Sequence, residues 1–389
     1  KGEVLPWKDL AFLWIPCMKI VEKLACRLGN KVAIPSDRME GHELVTHVCG
    51  HPLHLRSERT TLSLTPEALA TAFLLPAASM SKTLKGKSID SVWLKGSGRI
   101  LAQANNWWSW HAQPPEFKFE TRPPSRNPGI ALPFSLGVDS FYSCFFADPK
   151  PDILVLAAGF DVPLHKNSVL LRMQHAVAAV AVAVGKDWTM IATDLRQHPL
   201  YRKSSWLWNF GGAVAFLGHL LERHVDTLLI SSSLHESQLA PCGSHPSIDP
   251  LWSSSRLDIK HVGHDVFRFE KLRRLIQHPV AAPLVQKHLQ VCWESPSDEG
   301  NCGRCGKCLL TRLNLHRCAP DFLLETMPDT LPLAEAIAAL PSIPNELALS
   351  LWRELVGGPD PRLERALNDL IRRSETEILT QCRLKSTHF

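Results

Sequence analysis

The chain has 389 residues, 45% hydrophobic and 21% charged, a globular composition that excludes disordered and fibrous classes. Its 43 basic against 38 acidic residues leave a formal charge of +5, too small a surplus to argue for nucleic acid and equally suited to an anionic substrate. The best membrane candidate, VLLRMQHAVAAVAVAVGK, carries Arg172, Gln174 and His175 and reads as a buried helix, so no membrane partner is expected. No signal-peptide pattern is visible, although the chain begins at Lys1 and a removed leader stays open.

In chain order, residues 1–120 mix short strand and helix patterns and are expected to form a small α+β domain. HVCGHPLH brings His47, Cys49, His51 and His54 close together. In one extended segment residues 47, 49 and 51 would share a face, but ordinary polar and core roles are preferred to a metal site. SKTLKGKS, residues 81–88, nearly matches a Walker A loop. Ser81 replaces its first glycine and no apolar strand precedes it, so a basic solvated turn is expected. The tryptophans of NNWWSWH suit a small core or an interface better than base stacking. Proline-rich QPPEF and TRPPSRNPG then mark a boundary.

Residues 121–318 alternate apolar runs (GIALPF, DILVLAAG, WTMIATD, VDTLLISSS) with helical stretches near 138–147, 166–185 and 209–224, which predicts an α/β domain with a doubly wound parallel sheet. Residues 319–389 show helical periods broken by Pro and Gly and predict a C-terminal helical region.

Ligands of open parallel sheets sit beyond the carboxyl ends of the strands, where FSLGVDS follows the first strand. Ser135 and Ser140 offer hydroxyls, Gly137 admits close backbone approach, and Asp139 could hold Mg2+ beside phosphates. Phe160, Asp161, Thr193 and Asp194 end the next two strands and either line an adenosine pocket or cap the strands. LAPCGSHPSIDPLWSS gathers Gly243, Ser244, His245 and Asp249 at another carboxyl end, as a site wall or a loop of local turns. FRFEKLRRL supplies Arg268, Lys271, Arg273 and Arg274, of which Lys271 is the candidate to neutralise a leaving pyrophosphate. Eleven cysteines include four at C-x9-C-x2-C-x2-C: Cys292, Cys302, Cys305 and Cys308. This spacing suits a structural tetrahedral Zn2+ site, with an iron–sulfur cluster as the chemical competitor, and indicates a reducing, cytoplasmic compartment.

The loop at 135–140 resembles the SGGxDS pyrophosphate loop of the N-type ATP pyrophosphatases, with Leu136 at the first glycine. With the cysteine spacing, the chain resembles the 7-cyano-7-deazaguanine synthases over roughly residues 129–318, as a longer, divergent relative. The resemblance implies an adenine-nucleotide α-hydrolase-like fold, ATP and Mg2+ bound through Ser135, Gly137, Val138, Asp139 and Ser140, and Asp249 facing the substrate. The expected activity is that of an ATP-dependent ligase. A small-molecule or peptide carboxylate is adenylated with loss of pyrophosphate, and ammonia, an amine or a sulfur donor then displaces AMP. Two alternatives stand beside it: an RNA-binding, tRNA-thiolating protein, and a catalytically impaired protein that binds partners. Nucleic acid is the less expected partner, and a homodimer is left open.

Overall fold

The computed structural model describes residues 29–125, 127–292, 300–328 and 331–386. It begins with short strands β1 (Lys31–Ala33), β2 (Met39–Gly41), β3 (Glu43–Val48), β4 (His51–Arg56) and β5 (Leu62–Leu64). β3 alternates exposed and buried side chains and pairs antiparallel with β4, from Glu43 opposite Arg56 to Val48 opposite His51. Cys49 and Gly50 are therefore a two-residue turn, both at positive φ (52° and 68°), which suits the twist of a tight hairpin. The turn overturns the single extended segment expected for His47, Cys49 and His51.

α1 (Pro66–Ala78) starts where Thr65 Oγ1 accepts the Ala68 N–H and a proline takes the first helical position, and every residue in it is buried. β6 (Thr83–Asp90) leads into α2 (Ser91–Trp108), whose first amides, on Val92 and Trp93, are capped by the Asp90 carboxylate. β7 (Glu116–Glu120) follows, and β1, β6 and β7 form a small parallel sheet with β6 in the middle. The SKTLKGKS run is thus mostly a central strand rather than a solvated turn, and a long helix does follow it. Backbone already paired on both sides has no loop with which to wrap a phosphate.

The main sheet is built from β8 (Ile130–Pro133), α3 (Val138–Phe146), β9 (Ile153–Ala158), α4 (Asn167–Ala183), β10 (Asp187–Thr193), α5 (Pro199–Arg202), α6 (Trp206–Leu220), β11 (Thr227–Ser231), β12 (Asp258–Val262), α7 (Arg268–Gln277) and α8 (Ala281–His288). The seven strands lie in the order β12-β11-β8-β9-β10-β4-β3; the first five are parallel, and β4 joins β10 antiparallel. The chain starts mid-sheet at β8, steps outward through β9 and β10, and then returns past β8 to lay down β11 and β12 on its other side. Ala131, Val155, Ile191, Leu228 and Ile230 face one core, shared with α1 and α6. Leu132, Leu154, Leu156, Ala192 and Leu229 face a second core beneath α3, α4, α7 and α8. Both faces are covered, which is why these strands read as nearly continuous apolar runs. α4 buries only one side, with Val182 78% exposed, so it is amphipathic and not buried all round.

The border near residue 120 does not separate two cores. Leu55 and Arg56 of β4 sit opposite Thr193 and Ala192 of β10, and α1 shares the core of α6. At the other end, α9 (Gly306–Cys318) packs its Leu309 and Leu313 against α10 (Leu333–Ala338), α11 (Glu346–Arg353) and α12 (Pro361–Ser386), with Trp352 and Leu367 in the same cluster. Among the described residues no helix is long and apolar enough to cross a membrane.

Candidate functional site

The turn after β8 is shaped by Leu136. It takes φ +64°, the left-handed conformation that glycine reaches freely and a leucine only at a cost. Its side chain is buried in the cluster that holds Val291 and Cys292, and its carbonyl accepts the Gln290 N–H at 2.9 Å. The leucine therefore holds a left-handed turn while anchoring it to the segment before Cys292. Gly137 is the N-cap of α3, and no side chain caps that helix. Ser135 is exposed, Ser140 Oγ donates to the Gly137 carbonyl at 3.0 Å, and Val138 points its side chain into the core. Val138 can serve an anion only through its amide.

Asp139, in the first turn of α3, meets two cations from one face of α7. Arg268 Nη1 donates to its Oδ2, and Lys271 Nζ lies 3.5 Å from its Oδ1. Burial alone would raise this carboxyl, but Arg268 and then Lys271 hold it below the usual aspartate range. Lys271 is 1% exposed; it donates to the Ser232 carbonyl at 2.6 Å and lies 5.7 Å from the Tyr142 ring centroid. Desolvation pushes its ammonium below the ordinary lysine value against the pull of Asp139, so the partners shift the same way for different reasons. Arg273 and Arg274 are drawn away to Glu270, whose carboxyl their hydrogen bonds lower to about 2. Only half of the basic set expected from FRFEKLRRL thus faces the loop.

Two further groups escaped the sequence reading. Lys307, in the first turn of α9, brings a third cation into the field of Asp161, Arg268 and Asp139; although the residue is exposed overall, desolvation of its ammonium and the nearby Arg268 hold it below the ordinary lysine value. Its only sequence cue is its place between Cys305 and Cys308. Glu354, just past α11, accepts the Phe269 N–H at 3.1 Å and Gln238 Nε2 at 2.9 Å, which fixes the start of α7. Nothing local in the sequence marks it.

A second cluster of polar residues is built by the loop after β11. Asp249 is fully buried, and its Oδ2 accepts from Ser244 Oγ and from His261 Nδ1, each at 2.7 Å, while the His245 N–H approaches Oδ1 at 3.4 Å. His261, near the end of β12, was missed because it reads as one polar position of an alternating strand. The loop is held by backbone-to-backbone packing: a Cβ on Gly96 of α2 would lie 2.0 Å from the Leu251 carbonyl oxygen, and one on Gly211 of α6 would lie 1.9 Å from that of Gly243. Trp107 sets its ring 5.0 Å from His245, next to the mutually packed Trp108, Trp110 and Trp208, so the tryptophans of NNWWSWH join an interface of α2, α6 and this loop.

The strand-end residues divide. Asp161 is exposed beside Lys307. Both carboxylate oxygens of Asp194 bond to His54, at its backbone N–H (2.9 Å) and Nδ1 (2.6 Å), and tie β4 to the end of β10. Phe160 packs on Trp206, and Thr193 Oγ1 accepts the Leu195 N–H. These three serve the architecture around the crevice. A cavity of about 470 Å3, lined by Arg312, Phe322, Met327 and Asp360 among others, lies away from the loop, among α9, α10 and α12.

The Sγ atoms of Cys292, Cys302, Cys305 and Cys308 all lie within 4.8 Å of one another, the one such metal-competent group among the described residues. Cys292–Cys305 is 3.9 Å and Cys302–Cys308 is 3.8 Å. Four sulfurs about 2.3 Å from one tetrahedral ion would stand about 3.8 Å apart, so the set fits Zn2+, whereas an iron–sulfur core would spread them farther. The Cys305 N–H donates to Cys302 Sγ at 3.3 Å, and Gly303 turns at φ +70°, where a Cβ would lie 2.5 Å from the Pro328 carbonyl oxygen. Asn301 Oδ1 accepts the amides of Val291 and Cys292, and its Nδ2 donates to the Leu289 carbonyl. Among the described residues, His47, Cys49, His51 and His54 do not form a second metal-competent group. Comparison with models of known families, with curated proteins and with solved structures returned no match.

Proposed function

We propose that the chain binds ATP at the turn Ser135–Ser140 and uses it to adenylate a carboxylate. The carrying observation is placement: a glycine-bearing turn that opens a helix with no side-chain cap follows β8, the strand at which the sheet order reverses, and Arg268 and Lys271 converge on its Asp139. With β8 as first strand the parallel order is 3-2-1-4-5, which supports the doubly wound reading, and ligands of such sheets lie in the crevice at the reversal. The cysteine spacing and the turn support the same reading through their resemblance to the N-type ATP pyrophosphatases.

In that reading the α3 amides and the three cations Arg268, Lys271 and Lys307 hold the triphosphate, and the drawing away of Arg268 and Lys271 frees Asp139 for Mg2+, which would neutralise the departing pyrophosphate. A substrate carboxylate attacks the α-phosphorus, pyrophosphate leaves, and a nucleophile from outside the chain displaces AMP. Zinc at the cysteines would brace the turn through Gln290 and Leu136 and take no part in the chemistry.

Isothermal titration with Mg2+ and a non-hydrolysable α,β-ATP analogue tests the reading. Micromolar binding is expected, weakened at least tenfold by Asp139→Ala, with about one zinc per chain on the same sample. No heat from the parent protein overturns it.

A further inference from the structure

The ends of β11 and β12 hold an arrangement that structural need does not account for. Asp249 is 0% and the His261 side chain 3% exposed, and three donors surround the carboxylate, from Ser244, His245 and His261. An aspartate so placed fixes the proton of His261 on Nδ1 and leaves Nε2 as a lone-pair acceptor. Nε2 has no hydrogen-bond partner among the described residues, and neither has Nδ1 of His264, whose ring centroid is 5.5 Å from that of His261. Buried polar nitrogens left unmatched cost stability, and the Nε2 lone pair of His261, its proton held on Nδ1 by Asp249, points to an occupant that donates a hydrogen bond. The pair lies at the carboxyl ends of the strands: the Ser232 carbonyl takes the Lys271 ammonium while the Ser232 N–H bonds Val262, one residue past His261, and a Cβ on Gly263 would stand 3.7 Å from Lys271 Cε.

We infer that His261 is the proton acceptor for a nitrogen nucleophile, with Asp249 as its positioning residue, an assignment that rests on the adenylation reading. The buried negative charge of Asp249 behind the ring favours a cation, so the nucleophile arrives as ammonium or a primary alkylammonium, and an anionic sulfur donor is repelled. The ammonium gives one proton to His261 Nε2, and the imidazolium formed is stabilised by Asp249. The freed electron pair forms a C–N bond to the acyl carbon of the adenylate. The C–O bond to AMP breaks, its electron pair leaves on the AMP phosphate, and the remaining proton from nitrogen passes to water.

The test is long-range 1H–15N NMR of the zinc-loaded full chain labelled with 15N-histidine. The His261 ring is assigned by its loss in His261→Asn or, should that variant not fold, by correlation through its own Cβ in the parent. Expected are an Nδ1–H tautomer, lost in Asp249→Asn, and a saturable shift of Nε2 with ammonium or methylammonium chloride that sodium chloride at equal ionic strength does not give. An Nε2–H tautomer, no saturable shift with either amine, as a resident water alone would give, or a shift with sulfide only, overturns the inference. The nucleotide titration is read independently, so failure here is distinct from failure of ATP binding.

Discussion

Leu136 carries two opposed effects at one residue. Its positive φ costs about 1–2 kcal/mol, while its buried side chain contributes more, since truncating a buried leucine costs about 2–5 kcal/mol. Leu136→Ala removes the packing and keeps the backbone cost; Leu136→Gly removes both. Urea unfolding is expected to show Ala destabilised by about 2–4 kcal/mol and Gly about 1 kcal/mol less, the reverse of the ordinary order of these residues. A glycine variant no more stable than the alanine variant would remove the case for a left-handed turn at residue 136. At this scale the sequence revealed Asp139 and Lys271, because a polar turn between apolar runs and a basic helix are local patterns. It hid His261 and Lys307, whose meaning comes from neighbours far along the chain.

The element that ties the site together is the cysteine loop with the start of α9. The Gln290 backbone N–H donates to the Leu136 carbonyl, and its side-chain Nε2 donates to the Cys292 carbonyl at 3.1 Å, so a residue of the cysteine set and the turn after β8 are tied through one residue. Lys307 lies on the same helix start. Cys305→Ser is therefore expected to cut zinc content from about one per chain to below half and to weaken binding of the ATP analogue at least fivefold, with far-ultraviolet circular dichroism largely kept. Zinc loss with unchanged nucleotide affinity would separate the module from the site. The spacing of the four cysteines was legible in the sequence because metal geometry demands it locally. The link to Leu136 was not, because a backbone hydrogen bond across 154 positions has no residue preference to betray it.

At the scale of the whole molecule, the N-terminal segment completes the sheet and is not a module appended to it. β4 covers the edge of β10, α1 packs its fully buried length in the core of α6, and α2 holds the loop of Asp249 through Gly96. A chain cut to residues 127–389 would expose that edge and the α6 face, so it is expected to be aggregation-prone or molten, with loss of near-ultraviolet dichroism, while the full chain unfolds in one calorimetric transition. A soluble, cooperatively folding fragment would restore the border at residue 120. The sequence by itself determined the alternation of strands and helices from residue 129 onward, the polar turn at 135–140 and the cysteine quartet. Each of these is written in a period or a spacing that a short window contains. Only the tertiary structure decided the strand order, the union of hairpin and sheet, the division of the α7 cations between Asp139 and Glu270, and the Asp249–His261 pair. Those depend on which distant segments share a core, and burial, not local pattern, selects them.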